Sequence, residues 1–182
     1  MKVVKTDFEG LLILQPKVIN DNRGYFCEAY NKRTLQELGL EIAFVQENQS
    51  RSYKNVIRGL HFQNAPRAQT KLVRVLYGSV LDVVVDLRKD LPTFGKWFSI
   101  ELSAHAKNQL LVPKGFAHGF SILSDYAELL YLCDEYYSPE HEGGILYKDA
   151  SLGIDWRVPE SSRIISSRDL ALPVLSEASY TF

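Results

Sequence analysis

Leu72-Val-Arg-Val-Leu-Tyr77, Gly78-Ser79 and Val80-Leu-Asp-Val-Val-Val-Asp-Leu-Arg88 make one unbroken stretch, and its reading decides the fold. Two runs rich in β-branched residues flank a Gly-X pair of the kind that supports a two-residue type II′ turn, which predicts a β-hairpin. In the second run Leu81, Val83, Val85 and Leu87 share one parity, while Val80, Asp82, Val84, Asp86 and Arg88 share the other. Strand side chains alternate between faces, so one face of this strand is wholly aliphatic. Downstream, residues 97–103 alternate again, with Phe98, Ile100 and Leu102 on one side. Residues 108–112 form a strand that stops at the Pro113-Lys-Gly115 turn, and 116–123 and 127–133 are two more. Upstream, residues 1–30 are short strands punctuated by Gly10, Pro16 and the Asn20–Gly24 cluster. Residues 31–39 are the one clear early helix, with Asn31 as its cap, Leu35 and Leu38 on one face and Gly39 past its end. Residues 138–144 read as a polar loop, and the proline-punctuated tail holds one short helix near residues 167–170. Many short strands with Gly and Pro turns predict an antiparallel sandwich or barrel.

At 182 residues, the chain fits a single domain, residues 1–182. A hydrophobic share of 46% is ample for a core, and a net charge of −1 argues against a general nucleic-acid binder. The Leu11–Leu14 run is too short for a signal-peptide core, and no run approaches membrane-spanning length. Cys27 and Cys133 are far apart and lack metal-type spacing. A cytoplasmic protein that engages neither membrane nor nucleic acid is expected.

Charge is uneven along the chain. From Asn48 to Leu81 there are six basic residues (Arg51, Lys54, Arg58, Arg67, Lys71 and Arg74) and no acidic one. A one-sign run of this length suits an anionic partner, although a solvated basic surface is the simpler account of charge alone. Beside it, Gln46, Asn48, Ser50 and Ser52 share one strand parity, and Glu47, Gln49 and Arg51 the other. Neither face can line a dry core: this is an exposed edge or the wall of a wet cavity.

Pro113-Lys-Gly-Phe-Ala-His118 matches the Pro-x-Gly-x-x-His signature of the cupin jelly rolls. Where metal-binding cupins carry His-x-His and a Glu, the resembling positions here read His61-Phe-Gln63 and Lys71. An ammonium is a poor neighbour for a divalent ion, so the resemblance implies an all-β, cupin-type antiparallel jelly-roll barrel with a few short helices and no metal. Longer segments carry a closer likeness. Asp21-x-Arg-Gly-x-Phe-x-Glu28, Gln46-x-Asn-x-Ser-x-Ser52, Arg58-Gly-Leu-His-Phe-Gln63 and Ala68–Val73 all resemble the dTDP-4-dehydrorhamnose 3,5-epimerase family. Gly78–Arg88, Pro92–Gly95, Pro113–Phe120 and Ser166–Asp169 do so too, and the likeness covers nearly the whole chain in order. Thr70 stands where that family more often has glycine.

The resemblance implies inversion of C3 and C5 of a 4-keto-6-deoxyglucose carried on dTDP, in a homodimer and without a cofactor. The chemistry suits the residue types. Both carbons flank the C4 ketone, so each C–H is acidified by that carbonyl. Inversion then needs a base on one face, an acid on the other and a donor to the enolate oxygen. His61 is the residue type for the base. By resemblance Asp169 orients it, although Ser166-x-x-Asp169 also has the form of a capping box. Tyr131 is the implied acid and Lys71 the enolate stabiliser, its parity shared with Val73 and Val75. Arg23, Arg58 and Arg168 are the candidates for the diphosphate, since the guanidinium fork matches phosphate oxygens. Glu28, Gln46, Asn48, His118 and Glu142 are the candidate contacts to base and sugar, with Phe26 a candidate stack on thymine. The alternatives are a mono-epimerase or ketoisomerase acting on a related nucleotide 4-keto sugar, and a sugar-binding module without catalysis.

Overall fold

In the computed structural model, which describes residues 1–182, the Gly78–Ser79 turn is a corner between two sheets. The flanking strands, β7 (Lys71–Tyr77) and β8 (Ser79–Asp86), do not pair with each other. Gly78 has φ +75°, and a Cβ there would meet Ser124 Oγ and Tyr126 O at 2.3 Å, so only glycine lets the corner pack against the 124–126 turn. The expected hairpin is thus corrected: turn chemistry fixed the reversal, but each strand found partners on both sides in a different sheet.

The remaining strands are β1 (Lys2–Lys5), β2 (Leu12–Gln15), β3 (Val18–Asp21), β4 (Gly24–Cys27), β5 (Gln46–Tyr53) and β6 (Ile57–Gln63). After β8 come β9 (Trp97–Ser103), β10 (Gln109–Val112), β11 (Phe116–Ile122), β12 (Tyr126–Cys133) and β13 (Glu142–Gly144). One sheet has the order β1-β2-β10-β7-β12-β5, the other β13-β6-β11-β8-β9, and every pairing between these strands is antiparallel. β3 and β4 form a separate two-stranded ribbon. This is the cupin-type jelly roll that the sequence implied.

Three apolar layers hold it together. Between the sheets lie Val73, Val75, Val80, Val84, Leu102, Leu110, Phe120 and Leu129. The aliphatic face of β8 (Leu81, Val83, Val85) points away from this layer. It is covered by the C-terminal segment, with Ile145, Tyr147, Leu152 and Trp156 buried against it. The opposite parity, with Asp82, therefore faces the barrel. On the outside of the six-stranded sheet, Leu35 of helix α1 (Lys32–Glu37) packs on Leu14, Leu72 and Leu111. Asn31 caps that helix by accepting from the Arg33 and Thr34 N–H groups. Leu38, expected to share the buried face, is 43% exposed because the helix has already ended there. The expected polar loop 138–144 is a 3-10 turn followed by edge strand β13, whose Gly144 pairs opposite His61. Helix α2 (Ser167–Leu170) lies where expected.

Candidate active site

The catalytic candidates enter the barrel from opposite sheets. β6 and β11 of the five-stranded sheet carry His61 and His118, and β7 and β12 of the six-stranded sheet carry Lys71 and Tyr131. A cavity of about 160 Å³ is bounded by Ser50, Arg58, His61, Lys71, His118 and Tyr131. A second of about 110 Å³ shares His61, Lys71 and Tyr131 and adds Gln46, Asn48, Gln69, Tyr137 and Glu142. A third, of about 440 Å³, opens past Arg58 and His61 to Ser166, Arg168 and Asp169. All three meet at His61.

Arg58 and His61 reach the same space only because β6 is irregular. They are three residues apart, which in an even strand puts them on opposite faces. Against β11, however, His61 pairs with His118 and Arg58 with Phe120, so two residues of β6 oppose Gly119 alone. This bulge resets the parity. Ile57, Leu60 and Phe62 all join the outer apolar layer, while Arg58, His61 and Gln63 turn inward. Gly59 is at the centre of the bulge with φ +120°, and a Cβ there would lie 2.6 Å from Gly119 Cα.

His61 Nε2 lies 3.0 Å from Asp169 Oδ1, and Asp169 Oδ2 accepts from the Gly59 N–H at 3.1 Å. Ser166 Oγ meanwhile accepts from the Asp169 N–H. Only half of the capping box forms: serine caps the helix, while the Asp169 carboxylate bonds His61 and the Gly59 N–H and does not reach back to the Ser166 N–H. Burial works to raise the Asp169 carboxyl, but the His61 and Gly59 bonds overcome it and hold it below the usual range. Burial lowers the affinity of Lys71 for its proton, with Cys133, Glu142 and Asp82 opposing that shift. Burial likewise pushes the Tyr131 phenol up, with Cys133 adding to it and Arg58 offsetting it. The Tyr131 ring lies 6.0 Å from Lys71 Nζ.

The basic run divides by where it points. Arg51, Lys54 and Arg67 pair outside with Glu128, Asp125 and Glu135. Arg58 faces the cavity with its Nε donating to Ser52 Oγ, which leaves the rest of the guanidinium available. Gln46, Asn48, Ser50 and Ser52 are the inward parity of β5, so the polar strand is a cavity wall. Arg168 pairs with Glu142, which also accepts from the Tyr137 hydroxyl at 2.6 Å. Burial would raise Glu142, but these two bonds hold it low. His118 is 7% exposed and meets both Asp82 oxygens at 2.9 Å.

Three predicted contacts are not brought to this cavity within the protomer. Arg23 is fully displayed on the β3–β4 ribbon and paired with Asp21, and Phe26 is 67% exposed. Glu28 accepts from Asn31 at the start of α1. The ribbon lies over the outer face of the six-stranded sheet, where Tyr25, Cys27 and Ala29 share a cleft with Arg74 and Gln109. A neighbouring outer cleft of about 370 Å³, lined by Tyr30, Phe44, Glu47, Leu72, Arg74 and Leu132, has no histidine and no lysine.

Sequence reasoning missed Asp82, which shares one parity of β8 with Val80, Val84 and Asp86. It also missed Gln69, and the part that Gln46 and Gln63 play in fixing the Tyr137 loop. Gln46 Oε1 accepts from Tyr137 N, Gln63 Oε1 from Ser138 N, and Gln69 donates to Glu135 O. Gln63 additionally donates to Arg67 O and Tyr136 O. With that amide fully engaged and Lys71 facing the same space, the donor set does not fit the metal that many cupins hold.

The family of dTDP-4-dehydrorhamnose 3,5-epimerases matches residues 5–177. The chain belongs to that family. It is 52% identical to the dTDP-4-dehydrorhamnose 3,5-epimerase of Salmonella typhimurium, over 100% of this chain and 99% of that one. It also superposes on the Bacillus anthracis enzyme of that name, solved with TDP and PPi bound, with TM-score 0.92 and 50% identity, covering 96% and 99% of the two chains. The Legionella pneumophila epimerase solved with dTDP-4-keto-L-rhamnose gives TM-score 0.92 at 45% identity, covering 97% and 93%. Members of this epimerase family are isomerases, and the His61 cavity is where this chain has the groups such a reaction needs.

Proposed function

We propose that the chain converts dTDP-4-dehydro-6-deoxy-D-glucose to dTDP-4-dehydro-L-rhamnose by inverting C3 and C5 through an enolate, in dTDP-L-rhamnose biosynthesis. The observation that carries this reading is the placement of an Asp169-held imidazole and a half-buried phenol on facing walls of one cavity, with the Lys71 side chain beside them. His61 removes the proton next to the ketone. Lys71 donates to the enolate oxygen, and Tyr131 returns a proton from the other face. Arg58 and Arg168 take the diphosphate, with Arg168 exchanging Glu142 for phosphate oxygens. Gln46, Asn48, His118 and Glu142 contact sugar and base. No cofactor enters the proton transfers.

The whole chain acts as one domain, since the C-terminal segment covers the five-stranded sheet. It works as a homodimer. The exposed ribbon supports this: Arg23, Phe26 and Glu28 are far better placed to serve a neighbouring copy than their own cavity. Two unpaired cysteines, Cys27 and Cys133, favour the cytoplasm. No helix is long and apolar enough to cross a membrane.

The test is incubation with the 4-keto sugar nucleotide in deuterated water, followed by NMR. Deuterium at both C3 and C5 with inversion at both is expected. Exchange and inversion at one carbon alone would make the chain a mono-epimerase, and exchange at neither would remove the enolate mechanism.

A further inference from the structure

Arg51, Arg67 and Arg168 each spend their charge on a carboxylate. Arg58 makes no ion pair. Its side chain has one partner, a neutral oxygen: Nε donates to Ser52 Oγ at 2.9 Å. Ser52 is 3% exposed near the C-terminal end of β5, whereas Arg58, on β6, is exposed.

The two residues belong to different sheets and are joined by a short corner, residues 54–56. That corner is fixed on both sides. The Lys54 N–H donates to Asp125 O, the Ile57 N–H donates to Ile164 O, and Ser52 pairs opposite Ala127 of β12. The serine hydroxyl is therefore held in place beside the start of β6. A buried hydroxyl needs a partner, and Arg58 is the one it has. A guanidinium can grip an anion by a side edge, Nε with one Nη, or by an end edge made of both Nη groups. Ser52 occupies Nε and so takes up the side edge. The two Nη groups have no protein partner. Because the acceptor is a hydroxyl and not a carboxylate, it orients the cation without neutralising it. Arg58 borders both the cavity of Tyr131 and the one that opens to Arg168.

We propose that Ser52 is a positioning residue for the nucleotide diphosphate: its hydroxyl holds Arg58 by Nε, so that the guanidinium offers its Nη pair, with its charge whole, to phosphate oxygens where the two cavities meet. The inference rests on the reading of Arg58 as a phosphate ligand and adds the group that aims it. A long exposed side chain loses rotamer freedom when it grips an anion, and a bond already made in the empty site reduces that loss. A lysine in place of Arg58 would put a methylene where Nε stands and has no planar fork to aim.

Titrations of dTDP and of thymidine compare wild type, Ser52→Ala, Arg58→Lys and the double variant as full-length chains, alongside KM and kcat on the 4-keto sugar nucleotide. Ser52→Ala is expected to weaken dTDP about five- to tenfold. Thymidine, which has no phosphate, should bind as it does to wild type, and the kinetic loss should fall in KM more than in kcat. In the Arg58→Lys background the same change should cost less than about twofold, since no Nε is left to hold. Unchanged dTDP affinity in folded Ser52→Ala overturns the proposal. So does an equal weakening of thymidine, which marks a general distortion of the corner, or an equal loss of dTDP in the Arg58→Lys background. If Ser52→Ala does not fold, Ser52→Cys, close in size but a weak acceptor, takes the same test. The titrations need no turnover. Failure of wild type to turn over the 4-keto sugar would therefore sink the epimerase reading, whereas unchanged dTDP affinity in Ser52→Ala would sink only the role of Ser52.

Discussion

One imidazole and one phenol divide the proton traffic, and removing each should leave a different trace. Without His61 no enolate forms, so His61→Ala should lose both inversion and deuterium uptake at C3 and C5. Without the Tyr131 hydroxyl the enolate still forms. His61 can then return a solvent-exchanged proton to the face it came from, and Tyr131→Phe should show deuterium uptake with retained configuration. Tyr131→Phe that folds, binds dTDP and exchanges nothing would refute this division. Arg58 acts on ground and transition states alike, so Arg58→Ala should weaken dTDP and substrate binding together by roughly 1.5–3 kcal/mol. Unchanged dTDP affinity in a titration would exclude it as a phosphate ligand. Asp169 gives a pH signature. Its carboxyl is held below its ordinary value. The stability it contributes is therefore complete above the unfolded value near 3.9 and is lost as pH falls through the folded value. The difference in Tm between wild type and Asp169→Asn should shrink as pH falls from about 5 to below about 4. A difference that grows over that acid range would contradict the carboxylate's part in the dyad.

At the scale of elements, the bulge in β6 is what converts a sequence motif into a site. Gly59 approaches Gly119 so closely that a methyl group would collide with backbone, not with a flexible side chain. Gly59→Ala should therefore cost about 1–3 kcal/mol in a denaturant melt and more in activity, because easing the clash moves Arg58 against His61. Wild-type kcat in that variant would show that the bulge does not align the two. This element also marks where the sequence stopped being legible. Alternation revealed the strands, and the turn residues revealed the reversals. The inward parity of Lys71 with Val73 and Val75, and of Gln46 with Asn48, followed from period two. Alternation could not reveal that Arg58 and His61 share a side, since a bulge depends on what the partner strand offers. Nor could Gly78-Ser79 distinguish a hairpin from a corner, because both need the same backbone reversal and only the flanking strands' partners differ. Asp82 went unassigned because parity within β8 does not say which face meets the cavity when both faces are buried.

At the scale of the whole molecule, the ribbon is the feature that one protomer leaves without a use. Ile19, Tyr25 and Phe26 are 54%, 57% and 67% exposed on it, an apolar display that a lone soluble domain has little reason to keep. Arg23 and Phe26 belong by resemblance to the nucleotide site, yet they lie over the outer face of the six-stranded sheet, with the sheet between them and His61. The proposed homodimer would resolve this if its two-fold axis set the ribbon of each copy at the cavity mouth of the other. The consequence can be measured by complementation. One chain carries His61→Ala, the other Arg23→Ala with Phe26→Ala, and each homodimer is assayed at low substrate concentration. Mixed under exchange conditions, half the dimers become heterodimers. In these the cavity with an intact His61 meets an intact ribbon, and the mixture should recover about a quarter of wild-type activity. If the ribbon served its own cavity, every heterodimer site would lack either base or clamp, and mixing would recover nothing beyond the separate samples. Light scattering on the same mixtures, showing dimers throughout, separates a ribbon that binds nucleotide in the partner from one that only holds the copies together.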